Sequence, residues 1–521
     1  MKRIYALLIA VIITGNLFAQ SPTLLKDINS TTSSSSPNGF TQVGNIAFFT
    51  ADDGVHGREL WKTDGTTAGT KMVKDIWAGG GGSAPFNLTG MNGTVFFTAQ
   101  ASSDIYKLFK SDGTGAGTVM IGDTESSNTF DGPDNLTNVN GTLFFKAHNN
   151  ISGTNLWKTD GTNAGTVMVT NNTPGLSDYM SYFTNVDGTL FFIDGNGAIG
   201  SSHSALWKSD GTAEGTVLVK NIRPESPTNN INSLISFNGK LFFVTDDGVY
   251  RPELWTSDGT EEGTLLFKDL VPGTEGSYPE NLKVIGNSLY FSISNGNIPI
   301  SGMYKTDGTP DGTIAIANGS GGSYFTNQEQ FTAIDSTVFF RANGLQIWKV
   351  GITDTAAVMV KNIPYTASVP DPRPKFMTAA NGVLFFSAAS NAAGEELWKS
   401  DGTEAGTVAI DILPGAAGST PQYLTPVNNS LVFAATDPTH GTELWIVKMG
   451  SCVWTGNINT AWEAPGNWST NMVPTASSAV IIPAGRLNYP VVSVSTTVKS
   501  ISCEQGSSLS VLPGVDLKLL K

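Results

Sequence analysis

The chain has 521 residues, 40% of them hydrophobic, so it can bury a substantial core and has no composition that would force disorder. Its formal charge is −14 and no basic stripe interrupts that acidity, which excludes nucleic acid and disfavours anionic membrane surfaces as partners. Gly 58 and Pro 25, with no sustained 3.6-residue apolar period, exclude a helical protein and predict many short strands joined by turns.

Residues 1–19 place Lys2 and Arg3 before the apolar run "IYALLIAVII" and end in "NLFA". That is the layout of a secretory signal peptide cut between Ala19 and Gln20. Gln20, not a cysteine, follows the cut, so a lipid anchor is not expected. No later apolar run is long enough for a transmembrane segment. The expected location is extracellular or on the outer cell surface, with the periplasm as the alternative.

Residues 20–450 repeat. "ELWKTDGTTAGT" from Glu59 returns as "NLWKTDGTNAGT" from Asn155, "ALWKSDGTAEGT" from Ala205, "ELWTSDGTEEGT" from Glu253 and "ELWKSDGTEAGT" from Glu396. The motif's aromatic falls at Trp61, Phe109, Trp157, Trp207, Trp255, Tyr304, Trp348, Trp398 and Trp445, roughly every 48 residues. Each repeat offers four short apolar runs, here a, b, c and d, separated by Gly, Asn and Asp turns. The b runs, such as "TLFF" and "KLFF", do not alternate apolar with polar, so both faces of each small sheet must be covered. Four-stranded sheets flanked by copies of themselves predict an all-β fold, a β-propeller.

The ends of the array predict closure. "TLLKDI" from Thr23 matches the d strand "TKMVKDI" from Thr70, while the last repeat stops at the c strand "ELWIVK" from Glu443. A d strand supplied from the N-terminus would complete the last blade and close the ring. Nine blades are expected. Eight is the fallback, because "IWKVGITDTAAV" from Ile347 lacks Asp-Gly-Thr and follows the shortest spacing.

In the motif, "DGTTAG" reads as the hairpin turn from c to d, with Asp64, Asp112, Asp160, Asp210, Asp258, Asp307 and Asp401 accepting backbone N–H groups. Gly65 and Gly69 are expected to supply positive φ. Calcium is the sharper alternative for these aspartates, but most copies offer one acid where an oxygen cage needs several, so no cofactor is expected. The aromatics Trp61, Trp157, Trp207, Trp255, Trp348, Trp398 and Trp445 are expected to pack between blades, since burying a Trp removes roughly 150–250 Å² from water. Sugar stacking is the alternative for them.

Function belongs on loops set on the rigid repeats, and the d-to-a and b-to-c loops should share one face. All four histidines, His56, His148, His203 and His440, are assigned to b-to-c loops. His56 and His440 each stand five residues before their Trp, and with Asp52, Asp53 and Asp437 they form the best metal-site candidate. The d-to-a loops carry a second recurrence, "DIWAGGGGSAP" from Asp75, "DLVPGTEGSYP" from Asp269 and "DILPGAAGSTP" from Asp411. Residues 451–521 form a separate Trp-rich β module in which Cys452 and Cys503 could form a disulfide.

The quoted motifs make residues 21–448 resemble the bacterial ELWxxDGT-repeat proteins, the six-letter pattern standing complete at Glu59, Glu253 and Glu396. The tail resembles a Trp-rich module found near the C-termini of such exported proteins. The resemblance implies a secreted or surface-exposed protein of Gram-negative bacteria that use type IX secretion, and it implies no particular chemistry. The expected function is a surface or secreted scaffold for binding and adhesion, recognising a glycan or an extracellular protein. A glycan-cleaving propeller is the enzyme alternative, and a structural surface-layer component is the third. No Gly-x-Ser-x-Gly elbow, His-Glu-x-x-His or phosphate loop is present, and no catalytic residue is assigned.

Overall fold

The computed structural model describes residues 21–520 except 32, 80, 103–104, 123–129, 171–178, 197–202, 224–230, 274, 295–300, 320–324, 326–327, 364, 366–371, 392, 416, 451, 465–466, 469–472 and 475–477. The expected signal peptide, with Ala19 and Gln20, lies outside the described residues. The described elements are all strands. They fall into two compact units, Pro22–Ile446 and the residues from Val447 onward.

The larger unit is built of antiparallel four-stranded meanders of the β-propeller blade type, each pairing a with b, b with c and c with d. Four of the a-to-b hairpins turn on Asn-Gly pairs, such as Asn92 and Gly93, both at positive φ, which suits the right-handed strand twist. The b strands are buried on both faces: Ile46–Asp52 has every residue buried except its two ends. Each sheet shares its core with the next. Phe144, Leu156 and Val169 of the third repeat pack with Met180, Leu190 and Phe192 of the fourth.

Two features concern the ends and the irregular repeat. Thr23–Lys26 pairs antiparallel with Gly441–Lys448, setting Leu24 opposite Trp445 and Lys26 opposite Leu444. The N-terminal strand therefore completes the sheet of the last repeat. The seventh repeat forms a full meander despite its missing Asp-Gly-Thr. Its d strand, Ala356–Asn362, also pairs parallel with the d strand of the sixth, Ile314–Asn318, joining two meanders into one eight-stranded sheet.

The smaller unit pairs its short strands in parallel, Val480 with Ile501, Val491 with Ser510 and Thr496 with Leu517. Trp454, Trp462 and Trp468 fill its core, edge to face with ring centroids 4.9 and 4.7 Å apart. The candidate disulfide between Cys452 and Cys503 does not form. Cys452 pairs with Val480 on one side of Ala479–Ile482, and Cys503 pairs with Ile482 on the other. Two interstrand spacings of about 4.8 Å separate the two strands, beyond the Cα distance a disulfide spans.

Candidate functional site

The c-to-d turn is a self-contained hydrogen-bond unit. Asp64 Oδ1 accepts from Thr66 N at 2.9 Å and Thr66 Oγ1 at 2.7 Å, while Gly69 N donates to Thr66 Oγ1 at 2.9 Å. The same contacts recur at Asp112, Asp160, Asp210, Asp258, Asp307 and Asp401. The Thr66 hydroxyl, followed by backbone N–H, holds the Asp64 carboxyl below its ordinary range. Gly65 has the expected positive φ of 88°. Gly69 does not: a Cβ there would overlap the Asp64 carboxylate, so the glycine serves close approach. Asp64 is thus committed to its turn.

The motif aromatics are committed to packing. Trp61, Trp157, Trp207, Trp255, Trp348, Trp398 and Trp445 are all buried. Several stack on the phenylalanine opposite on strand b, as Trp157 does on Phe145 and Trp398 on Phe386, with centroids 6.4 and 6.0 Å apart.

The opposite edge carries an arrangement that sequence reasoning missed. Glu59, Glu253, Glu396 and Glu443, the first letters of the motif, are fully buried. Each binds a serine of its d-to-a loop. Glu59 Oε1 accepts from Ser83 N at 2.8 Å and Oε2 from Ser83 Oγ. Glu253 takes Ser277 Oγ. Glu396 accepts from Ile412 N, Leu413 N and Ser419 N at 3.0–3.1 Å and from Ser419 Oγ. Glu443 accepts from Ile28 N and Ser35 N at 2.8 Å and from Ser35 Oγ at 2.6 Å, reaching the N-terminal segment. Burial raises all four carboxyls above the ordinary glutamate value, outweighing these hydrogen bonds. Glu253 has the sparsest set, with Oε1 unbonded, and is pushed up to about 7. The start of strand c and the d-to-a loop are clamped together, so both loop classes share one edge.

The metal candidate separates into two local pairs. His56 Nδ1 meets Asp53 Oδ2 at 2.7 Å, and His440 Nδ1 meets Asp437 Oδ2 at 2.8 Å. Among the described residues no group of three or more His, Cys, Asp or Glu is placed to hold a metal ion, so His56, His440, Asp53 and Asp437 do not assemble into one site. Each aspartate instead shapes its loop, Asp53 Oδ1 accepting from Val55 N and His56 N, and Asp437 Oδ1 from Thr439 N and His440 N. Asp247 does the same for Val249 N and Tyr250 N with a tyrosine in the histidine's place. The bond to Asp53 raises the His56 pKa, and Asp437 acts likewise on His440. The placement of all four histidines in loops is corrected too. His148 lies in Thr142–Asn149 and His203 opens His203–Ser209.

The a strands carry a second unforeseen feature. Each has a register irregularity near its start, with one residue at positive φ: Gly39, Asn87, Asn135, Tyr182, Ser233, Asn281, Gln330, Phe376 or Tyr423. Gly and Asn tolerate that conformation, and bulky aromatics do so at a cost. Tyr423 has φ of 55° and is 40% exposed, and its ring lies 5.9 Å from Phe376, itself at φ 55°, and 6.4 Å from Phe40.

A family model, a domain of unknown function (DUF8693), matches residues 453–521. No curated protein matches the chain. Among solved structures, a prolyl endopeptidase aligns with a TM-score of 0.42 and 12% identity over 72% of this chain and 55% of its own. The computationally designed Ika8 protein aligns at 0.40 and 13%, over 80% of this chain and 97% of its own. A puromycin hydrolase aligns at 0.37 and 10%, over 92% of this chain and 79% of its own. The chain thus spans just over half the length of the prolyl endopeptidase.

Proposed function

We propose that residues 22–448 form a closed ring of nine β-propeller blades, of the ELWxxDGT-repeat family, acting as an exported scaffold for binding and adhesion. Closure is supported by the strand Thr23–Lys26 in the last sheet and by a core in which Leu25, Val427 and Leu444 pack with Ala47, Phe49 and Trp61 of the first repeat. The a strands Asn38–Val43 and Gln422–Val427 are in contact, as the a strands of consecutive repeats are throughout. Asn428 Nδ2 bonds Asp64 O at 2.8 Å, the contact that Asn238 Nδ2 makes with Asp307 O at 2.9 Å between the fifth and sixth repeats.

The buried Glu–Ser clamps carry the binding reading. A loop held by two or more hydrogen bonds to a buried carboxyl loses less entropy on meeting a partner. The partner is a glycan or an extracellular protein, taken on the loop edge. Export follows the leader at residues 1–19. A glycan array and a set of extracellular proteins, probed with the purified chain, test this. Binding should be lost on replacing the loop residues 77–82 and 271–276 and kept in an Asp112→Asn turn variant. Turnover of a polysaccharide, abolished by one Asp or Glu substitution, would replace the scaffold reading with the hydrolase one.

A further inference from the structure

We infer that Phe376 and Tyr423 form a stacking subsite for a neutral glycan, an inference that rests on the binding reading above and locates its ligand. The first argument is strain. Six of the a strands place Gly39, Asn87, Asn135, Ser233, Asn281 or Gln330 at the left-handed position, whereas the fourth, eighth and ninth place the aromatics Tyr182, Phe376 and Tyr423 there, and the rings of Phe376 and Tyr423 meet. A left-handed conformation costs a bulky residue of order 1–3 kcal/mol, and such strain persists where the site has a use for it.

The second argument is exposure. Tyr423 leaves 40% of its surface in water, forgoing the burial that every motif tryptophan obtains. The two rings touch across neighbouring repeats, making a shared surface that neither repeat has alone.

The surroundings select the ligand. Beside Phe376 stands Lys375, whose Nζ is 3.6 Å from Glu395 Oε1. An aromatic floor with a cation–carboxylate pair at the adjoining residue suits a sugar, whose C–H face stacks on rings while its hydroxyls both donate and accept. Formal charge of −14 repels polyanionic glycans, leaving a neutral one.

The test is calorimetric titration of the full chain with hexasaccharides of β-1,3-glucan, β-1,4-glucan, xylan and mannan. At least one should bind. Phe376→Asn and Tyr423→Asn should each weaken it about tenfold, while melting at or above the parent temperature, because Asn is the residue other repeats use there. Tyr423→Phe should keep most of the affinity. If a glycan binds and both Asn variants bind it equally well, this subsite is wrong and the scaffold reading stands. If none of the four binds, or a protein partner alone is captured on these rings, the glycan assignment fails. Loss of binding with a lowered melting temperature in both Asn variants, and in Tyr423→Phe, would show a structural role and overturn it as well.

Discussion

At the scale of single residues, the motif's polar letters are structural for a reason that can be tested by non-additivity. Asp160 Oδ1 accepts from Thr162 N at 2.8 Å and Thr162 Oγ1 at 2.7 Å, and the carboxylate occupies the space where a Gly165 side chain would go. Gly165→Ala should therefore destabilise by about 1–3 kcal/mol. Its cost should largely vanish in an Asp160→Ala background, where the obstruction is gone, and a double-mutant cycle by chemical denaturation reads the coupling. Trp157→Ala, which empties a fully buried site in the core shared by the second and third repeats, should cost about 3–5 kcal/mol. Ordinary turn strain alone would give additive costs at Asp160 and Gly165.

At the scale of elements, the clamp makes a pH prediction with a definite sign. The folded chain holds a proton on Glu253 up to about pH 7, where an ordinary glutamate releases it near 4.5. The folded pKa is raised, so this group's contribution is complete below about pH 4.5 and lost as pH rises through 7. The turn aspartates are shifted the other way by their Thr hydroxyls, and their contribution is lost as pH falls through their lowered values. Melting temperature should hence peak between these limits. Glu253→Gln should match the parent at pH 5 and exceed it at pH 8; an unchanged pH slope would contradict the burial of a protonated carboxyl. Ser419→Ala leaves Glu396 without a side-chain donor and should cost about 1–3 kcal/mol. It should also speed proteolytic nicking at 411–421.

The sheets were legible in the sequence because period, turn chemistry and doubly apolar b strands all point to one solution. The clamp was half legible. Its two ends stand in the sequence as two recurrences, the complete ELWxxDGT at Glu59, Glu253 and Glu396 and the Gly-Ser-x-Pro loop after each. Repeats with Lys107, Asn155, Ala205, Gly302 or Gln346 in place of the glutamate lack that loop pattern, and this co-occurrence was the missed signal. The left-handed residues were not legible, since Phe376 and Tyr423 carry nothing local that demands positive φ. The irregularity that puts them there is imposed by pairing of a with b. Equal spacing of His56 and His440 before Trp61 and Trp445 reflects a shared loop shape, set by Asp53 and Asp437.

At the scale of the molecule, the N-terminal strand joins the last repeat to the first. Removing residues 21–28 would strip Leu25 and Ile28 from the core shared by the last and first repeats and leave Glu443 buried without Ile28 N. The shortened chain should melt well below the parent and expose strand edges that favour self-association, visible in size-exclusion chromatography. The most direct measurement is amide hydrogen exchange of the peptide covering residues 22–28 in the intact protein. The proposed ring predicts that the amides of Thr23–Lys26 exchange as slowly as those of an internal d strand such as Leu265–Lys268. Exchange at the rate of an unstructured peptide would contradict it.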